Sequence, residues 1–268
     1  MIISSKDNKL IKLAASLSEK KYRDELGLFL LEGPNAVAEA WQQGGRLRFI
    51  FTRAGASIED LGIEISELSP AVYELTGDVF AKVCNTENSQ GIAAVAEKRI
   101  VSETAFFRKD GSNVLVLDRI QDPGNMGTLL RTAEAMGFAG ALLVKGCTDP
   151  WGPKVVRAAA GSILRFPMLF AQSAEDALDI LARHGKKVYC TAMNGRLRSY
   201  EADLKENAAI VIGNEGNGAS DVFMKNAETL AIPMAGSTES LNAAFAGAII
   251  MYESERQSLC GKNKEDRQ

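Results

Sequence analysis

Three short stretches hold most of the residues that can do chemistry in this chain. The first is Asp118-Arg119-Ile120-Gln121-Asp122-Pro123-Gly124-Asn125-Met126-Gly127-Thr128-Leu129-Leu130-Arg131. Asp122-Pro123-Gly124-Asn125 is a turn by composition, and Asn125 is a suitable cap for the helix that should follow. Arg131 falls less than two turns into that helix. Alone, this stretch also fits an ordinary strand–turn–helix with a capping Asn and a surface Arg. The second stretch is Ile212-Gly213-Asn214-Glu215-Gly216-Asn217-Gly218. Glycines directly after a buried strand let a ligand approach the backbone, and that strand end is where α/β sheets bind ligands. The spacing is neither a Gly-x-x-x-x-Gly-Lys phosphate loop nor a Gly-x-Gly-x-x-Gly dinucleotide fingerprint. The third stretch is Ile232-Pro233-Met234-Ala235-Gly236-Ser237-Thr238-Glu239-Ser240-Leu241-Asn242-Ala243-Ala244. Ser237 or Thr238 can cap the last helix, which places Ser240 and Asn242 in its first turn, either as backbone partners or pointing into a site.

Other chemistries are poorly provided for. The single histidine, His184, lies in the polar run Ala182-Arg183-His184-Gly185-Lys186 and reads as a solvated loop residue. Acid–base work must then use other groups. Cys84, Cys147, Cys190 and Cys260 are scattered with no Cys-x-x-Cys pair, which argues against zinc, any metal site and a disulfide framework. A reducing cytoplasm is the simplest home. No secretory signal opens the chain, and no apolar run reaches the roughly 18 residues of a membrane span. The net charge of −3 is not that of a general nucleic-acid binder, so any such surface must be a local patch.

The elements that position these stretches follow from periodicity. With 268 residues and 46% apolar composition, the chain can bury one large core or two small ones. Residues 6–25 carry Leu10, Leu13, Ala14 and Leu17 at helical spacing. Lys6, Lys9, Lys12, Lys20, Lys21 and Arg23 are interspersed, as the wet face of a terminal helix or as an RNA-touching face. Strands are expected at 28–31, 48–52, 63–65 and 91–96, with a helix from 33 to 41. Residues 1–100 thus form a small α/β domain, and 101–112 a polar linker. From 113 the pattern becomes strand–helix alternation: strands at 114–117, 141–144, 168–170, 187–191 and 209–212, helices at 126–136, 154–160, 174–183 and 241–255. That alternation implies an α/β parallel sheet with crossover helices over 113–260, followed by a polar tail at 261–268. All three stretches then sit at strand ends of one sheet.

Together, Asn125-x-Gly-x-x-x-Arg131, Gly213-x-Glu215-Gly-x-Gly218 and Ile232-Pro-Met-x-x-x-x-x-Ser240-Leu-Asn242 resemble the three motifs of the SpoU (TrmH-like) RNA 2′-O-ribose methyltransferases of the SPOUT superfamily. The resemblance covers roughly residues 113–255. More loosely, Phe29-Leu-Leu-Glu32-Gly33 and Gln90-Gly91-Ile92-Ala93-Ala94-Val95 resemble that family's ribosomal-protein-like RNA-binding domain. The resemblance implies a trefoil knot in the second domain, a homodimer and S-adenosyl-L-methionine as cofactor. Its substrate is then a ribose 2′-hydroxyl of folded RNA, ribosomal RNA first and transfer RNA second. It also implies that Arg131, Asn125, Glu215, Ser240 and Asn242 form the catalytic set. Thr191, Gly213, Glu215, Gly216, Ile232, Met234 and Leu241 would hold the cofactor. Arg131 takes the family's catalytic position. A literal base is difficult there, because a guanidinium of pKa about 13 costs roughly 8 kcal/mol to deprotonate at neutral pH. A charged clamp is the other role. Two further classes compete with this one. A non-catalytic RNA-binding relative would have lost Arg131, Asn125, Ser240 or Asn242, and all are present. A nicotinamide or flavin enzyme needs glycine spacing the first strand lacks.

Overall fold

The computed structural model describes residues 2–43, 46–56, 58, 71–84, 89–238 and 240–265, without the side chains of 261–265. The chain forms two compact units, Met1–Arg99 with Asp149–Arg165, and Ile100–Thr148 with Phe166–Gln268.

The first unit is built on a mixed five-stranded sheet. Its strands are β1 (Ile2–Ile3), β2 (Leu28–Glu32), β3 (Leu47–Arg53), β4 (Ala71–Leu75) and β5 (Ile92–Glu97), in the order β1-β4-β3-β5-β2. The helices are α1 (Lys9–Ser16), α2 (Lys20–Leu26), α3 (Pro34–Gln42) and α4 (Gly77–Val83). Ile11, Ala14, Leu17, Phe51, Leu75 and Phe80 pack in its core. The single helix expected over 6–25 is two, and Arg23 is the reason. Only 4% exposed, Arg23 donates from Nη1 to the carbonyls of Leu17 (2.6 Å) and Ser18 (2.8 Å), holding the turn between α1 and α2. Its Nη2 lies 2.7 Å from Asp149 Oδ2. Arg23 is therefore an internal strut and not part of an RNA-facing basic surface. The strand expected at 63–65 lies outside the described residues.

The second unit is built on a seven-stranded, wholly parallel sheet. Its strands are β6 (Val114–Asp118), β7 (Ala141–Val144), β8 (Met168–Ala171), β9 (Lys187–Thr191), β10 (Leu197–Arg198), β11 (Ala208–Gly213) and β12 (Glu228–Ala231), in the order β10-β12-β9-β11-β6-β7-β8. Every residue of β6 and β11 is buried, as their unbroken Val/Ile/Leu/Ala runs require of strands covered on both faces. The helices are α5 (Glu103–Phe106), α6 (Pro123–Ala135), α9 (Ala174–Arg183), α10 (Asp221–Asn226) and α11 (Ala243–Glu265), while α7 (Pro153–Ala159) and α8 (Ser162–Arg165) belong to the first unit. Phe106 and Phe107, in the stretch expected to be linker, are buried in this unit's core.

Two helix starts differ from expectation. Asp122, not Asn125, caps α6: its Oδ1 accepts the Asn125 backbone N–H at 2.8 Å, and Pro123 occupies the first turn, where its missing N–H costs nothing. Asn242, not Ser237 or Thr238, caps α11, its Oδ1 accepting the Ala244 N–H at 2.9 Å. Ser240 and Asn242 thus precede that helix instead of lying in its first turn. The far part of α11 is fastened to the 202–208 region. Asn113 Nδ2 donates to the Leu204 carbonyl at 2.8 Å and to Ser254 Oγ at 2.8 Å, and Gln257 Oε1 accepts the Leu204 N–H at 2.9 Å.

Candidate active site

The sheet order creates the crevice. From β6 the chain steps outward through β7 to β8, then resumes on the other side at β9, and β11 later fills the gap between β6 and β9. Strand order reverses there, and open α/β sheets bind ligands at the carboxyl ends beside such a reversal. Gly213 and Asp118 are register partners at that end of β11 and β6. Thr191 ends β9, and Ile232 directly follows β12.

The glycine loop doubles back on itself. Asn214 and Gly218 exchange backbone hydrogen bonds of 3.0 and 2.9 Å, while Asn214 Oδ1 accepts the N–H groups of Gly216 and Asn217, both at 3.0 Å. A Cβ on Gly213 would sit 2.1 Å from the Ala219 nitrogen and 2.3 Å from the Gly218 carbonyl carbon. The absence of a side chain at Gly213 thus serves the fold-back of the loop. From below, the buried Asp118 accepts the Ser220 N–H at 2.6 Å. Sequence reading missed Asp118 as a support, although its place at the end of a buried strand was visible.

A line of side-chain amides joins the three stretches. Asn242 Nδ2 donates to Asn125 Oδ1 at 3.0 Å, and Asn125 Nδ2 donates to Glu215 Oε1 at 3.0 Å. Glu215 also accepts the backbone N–H groups of Gln121 (3.3 Å) and Asp122 (3.2 Å) at the mouth of α6. Partial burial pushes the Glu215 carboxyl up, but the Asn125 amide and the backbone N–H groups outweigh it and leave its pKa below the usual glutamate value. Glu215 is therefore a standing anion, a fastener between loops and not a proton acceptor.

These loops enclose a cavity of about 510 Å³, within the range of small-molecule sites. Thr191, Gly213, Glu215, Gly216, Ile232, Met234 and Leu241 all line it, as does Ser240. Asn125 and Asn242 do not line it, but meet it through Glu215. Arg131 does not line it either; it is exposed on α6, about 9 Å further along the axis than Asn125. Met193, Asp221 and Met224 line the cavity and escaped the sequence reading. No motif marks them: Met193 lies in the connection after β9, and Asp221 and Met224 lie on α10. Burial pushes the thiol of Cys190 up to about 12 and that of Cys147 to about 11, so neither is a thiolate nucleophile. An adenosine-sized ligand fits this lining: backbone groups of the glycine loop can read a base edge while Ile232 and Leu241 cover its faces.

Comparison with known proteins agrees with this geometry. The SpoU rRNA Methylase family model matches residues 112–252, and the MRM3-like substrate binding domain model matches residues 8–94. A 23S rRNA (guanosine(2553)-2′-O)-methyltransferase of Bacillus subtilis is 34% identical over 93% of this chain and 97% of its own length. An uncharacterized tRNA/rRNA methyltransferase of Synechocystis is 34% identical over 95% of this chain and 93% of its own length. The AdoMet-bound rRNA methyltransferase of Sinorhizobium meliloti superposes with a TM-score of 0.85 at 29% identity, covering 96% of this chain and 97% of that one. The chain belongs to the SpoU rRNA methylase family.

Proposed function

We propose that this chain uses S-adenosyl-L-methionine to methylate a ribose 2′-hydroxyl of ribosomal RNA. The observation that carries the reading is the Asn242–Asn125–Glu215 line of hydrogen bonds, which fixes all three family motifs around one cavity at the strand-order reversal. The Bacillus relative is named for 2′-O-methylation of 23S rRNA, and the Sinorhizobium structure carries AdoMet.

When bound, the cofactor supplies an electrophilic methyl group on sulfur. The glycine loop and the 232–242 stretch bind and orient its nucleoside, with Thr191, Gly213, Gly216, Ile232, Met234 and Leu241 as the contacts. Ser240 lines the cavity, where a ribose can be held, and Asn242 supports it through Asn125 and Glu215. Arg131, exposed on α6, acts as a charged clamp on a target phosphate and stabilises the alkoxide that develops as the hydroxyl loses its proton. The clamp is preferred to a literal base because a guanidinium holds its proton against a large cost.

The active form is a homodimer. Phe245, Ile249 and Tyr252 of α11 are 69%, 42% and 60% exposed and lie at helical spacing on one face. The same helix sends Ala243 and Ala246 into the cavity wall, so a second copy docked there would border the site. The trefoil knot fits the insertion of β11 between β6 and β9 and the fastening of α11 beneath the 202–208 region. The first unit supplies RNA affinity and target choice. No described helix is long and apolar enough to cross a membrane, and a cytoplasmic enzyme is the natural reading for a ribosomal substrate. Calorimetric titration with S-adenosylmethionine against NADH tests the cavity: heat from the first and none from the second is expected, and the reverse would overturn the proposal.

A further inference from the structure

The cavity carries charge of one sign. Among the residues lining it, Glu215 and Asp221 are carboxylates, and none is lysine, arginine or histidine. Arg119 approaches the glycine loop from behind, its Nε 3.2 Å from Asp118 Oδ1 and its Nη2 3.5 Å from the Gly218 carbonyl, and does not line the cavity. Glu215 is occupied by loop N–H donors. Asp221 is exposed and makes no side-chain hydrogen bond or ion pair among the described residues, so its charge is free to act on a ligand. Ile212, Leu230, Ile232 and Leu241 supply apolar wall beside these carboxylates.

We propose that Asp221, backed by Glu215, makes this cavity selective for a cationic nucleoside, the methyl-bearing sulfonium, over the neutral thioether left after transfer. The inference rests on the reading of the cavity as the methyl-donor site. In that reaction the hydroxyl oxygen bonds to the methyl carbon, the carbon–sulfur bond breaks with its electron pair left on sulfur, and the hydroxyl proton goes to solvent. The ligand therefore loses one positive charge while still in the cavity, and with it the attraction to Asp221. Product leaves more readily than donor, and product inhibition is relieved without any loop movement. Both carboxylates are wet, so the effect is of surface-pair size, roughly threefold to fivefold in affinity.

The test is calorimetry of the full-length protein with three probes: S-adenosylmethionine, S-adenosylhomocysteine and sinefungin, which carries an ammonium in place of the sulfonium. The wild-type protein should bind both cations about threefold to fivefold more tightly than the thioether, and rising salt should narrow the gap. In Asp221→Asn the gap should close while thioether affinity holds, which also shows that the variant is folded. Equal or tighter binding of the thioether by the wild-type protein would overturn the inference, as would an Asp221→Asn variant that keeps the gap or weakens all three probes alike. Failure of every probe to bind the wild-type protein would instead overturn the donor-site reading, and the inference with it.

Discussion

Asn125 and Glu215, 90 residues apart in the chain, share a hydrogen bond of 3.0 Å. With the Gln121 and Asp122 N–H groups that Glu215 also accepts, that contact fixes the start of α6 against the glycine loop, and Asn242 extends it to the cap of α11. The loops that line the cavity and the helix that carries Arg131 are thereby set by one another.

Removing the shared acceptor should loosen both. Glu215→Ala removes the acceptor of the Gln121 and Asp122 N–H groups and of the Asn125 amide, and water can reach those donors, so the loss is about 0.5–1.5 kcal/mol. Cofactor affinity and turnover should fall together, and wild-type values for both would place Glu215 outside the site. A pH effect follows as well. The lowered folded-state pKa of Glu215 means its contribution is fully present above the unfolded value, about 4.3, and is lost as pH falls through the folded one. Thermal melts from pH 6 down to pH 3 should show the wild-type protein losing its advantage over Glu215→Gln below about pH 4. An advantage lost instead as pH rises would contradict the assigned direction.

Gly213→Val should damage the fold and the site at once. The Cβ position lies 2.1 Å from the Ala219 nitrogen, so the fold-back from 214 to 219 must open. Lower melting temperature and weaker S-adenosylmethionine binding are expected together. From sequence, the glycine serves the approach of a ligand or the turn itself; the structure makes it a requirement of the loop. A variant that melts like wild type would show that the loop tolerates the side chain.

Apolar periodicity made the parallel sheet legible, since β6, β7 and β11 are buried, largely apolar runs of four to six residues. It missed β10 and β12, because two residues of the first and the Glu-Thr-Leu-Ala of the second carry too little pattern to separate a strand from a loop. The cavity wall was legible where glycines and capping residues cluster, at Gly213, Gly216, Ser240 and Leu241. It was illegible at Asp221, Met193 and Met224, and so was the support that Asp118 gives the glycine loop, because these roles arise only from strand order and loop closure. The same limit hid Arg23, whose partner Asp149 is 126 residues away.

Arg23 gives a stability prediction of its own. Its guanidinium and the Asp149 carboxylate are both nearly sealed from water. Arg23→Ala strands a buried anion and frees the turn between α1 and α2, and should cost about 3–5 kcal/mol. Cofactor binding in the second unit should survive, so denaturant unfolding and calorimetry read the two effects apart. Residues 149–165 pack in the first unit, so a fragment lacking 1–98 should lose solubility as well as RNA affinity. A well-behaved fragment with an intact melting transition would contradict that packing.

Arg131→Ala should bind S-adenosylmethionine normally yet lose most turnover, as expected when an interaction is felt mainly in the transition state. Removal of a phosphate contact should also reduce the slope of log affinity on log salt by about 1. Arg131→Lys restores charge without the planar fork, so partial recovery marks a clamp. Near-normal turnover in Arg131→Ala with RNA saturating would remove Arg131 from the site.

The most direct measurement is the position of the transferred methyl group. Purified protein is incubated with ribosomal RNA and S-adenosylmethionine labelled in its methyl, and the RNA is digested to nucleosides for mass spectrometry. The label is expected on the ribose, as a 2′-O-methylnucleoside, in wild-type reactions and at greatly reduced yield with Arg131→Ala. Label on a base, or no transfer to any ribosomal or transfer RNA by protein that binds the cofactor, would contradict the account.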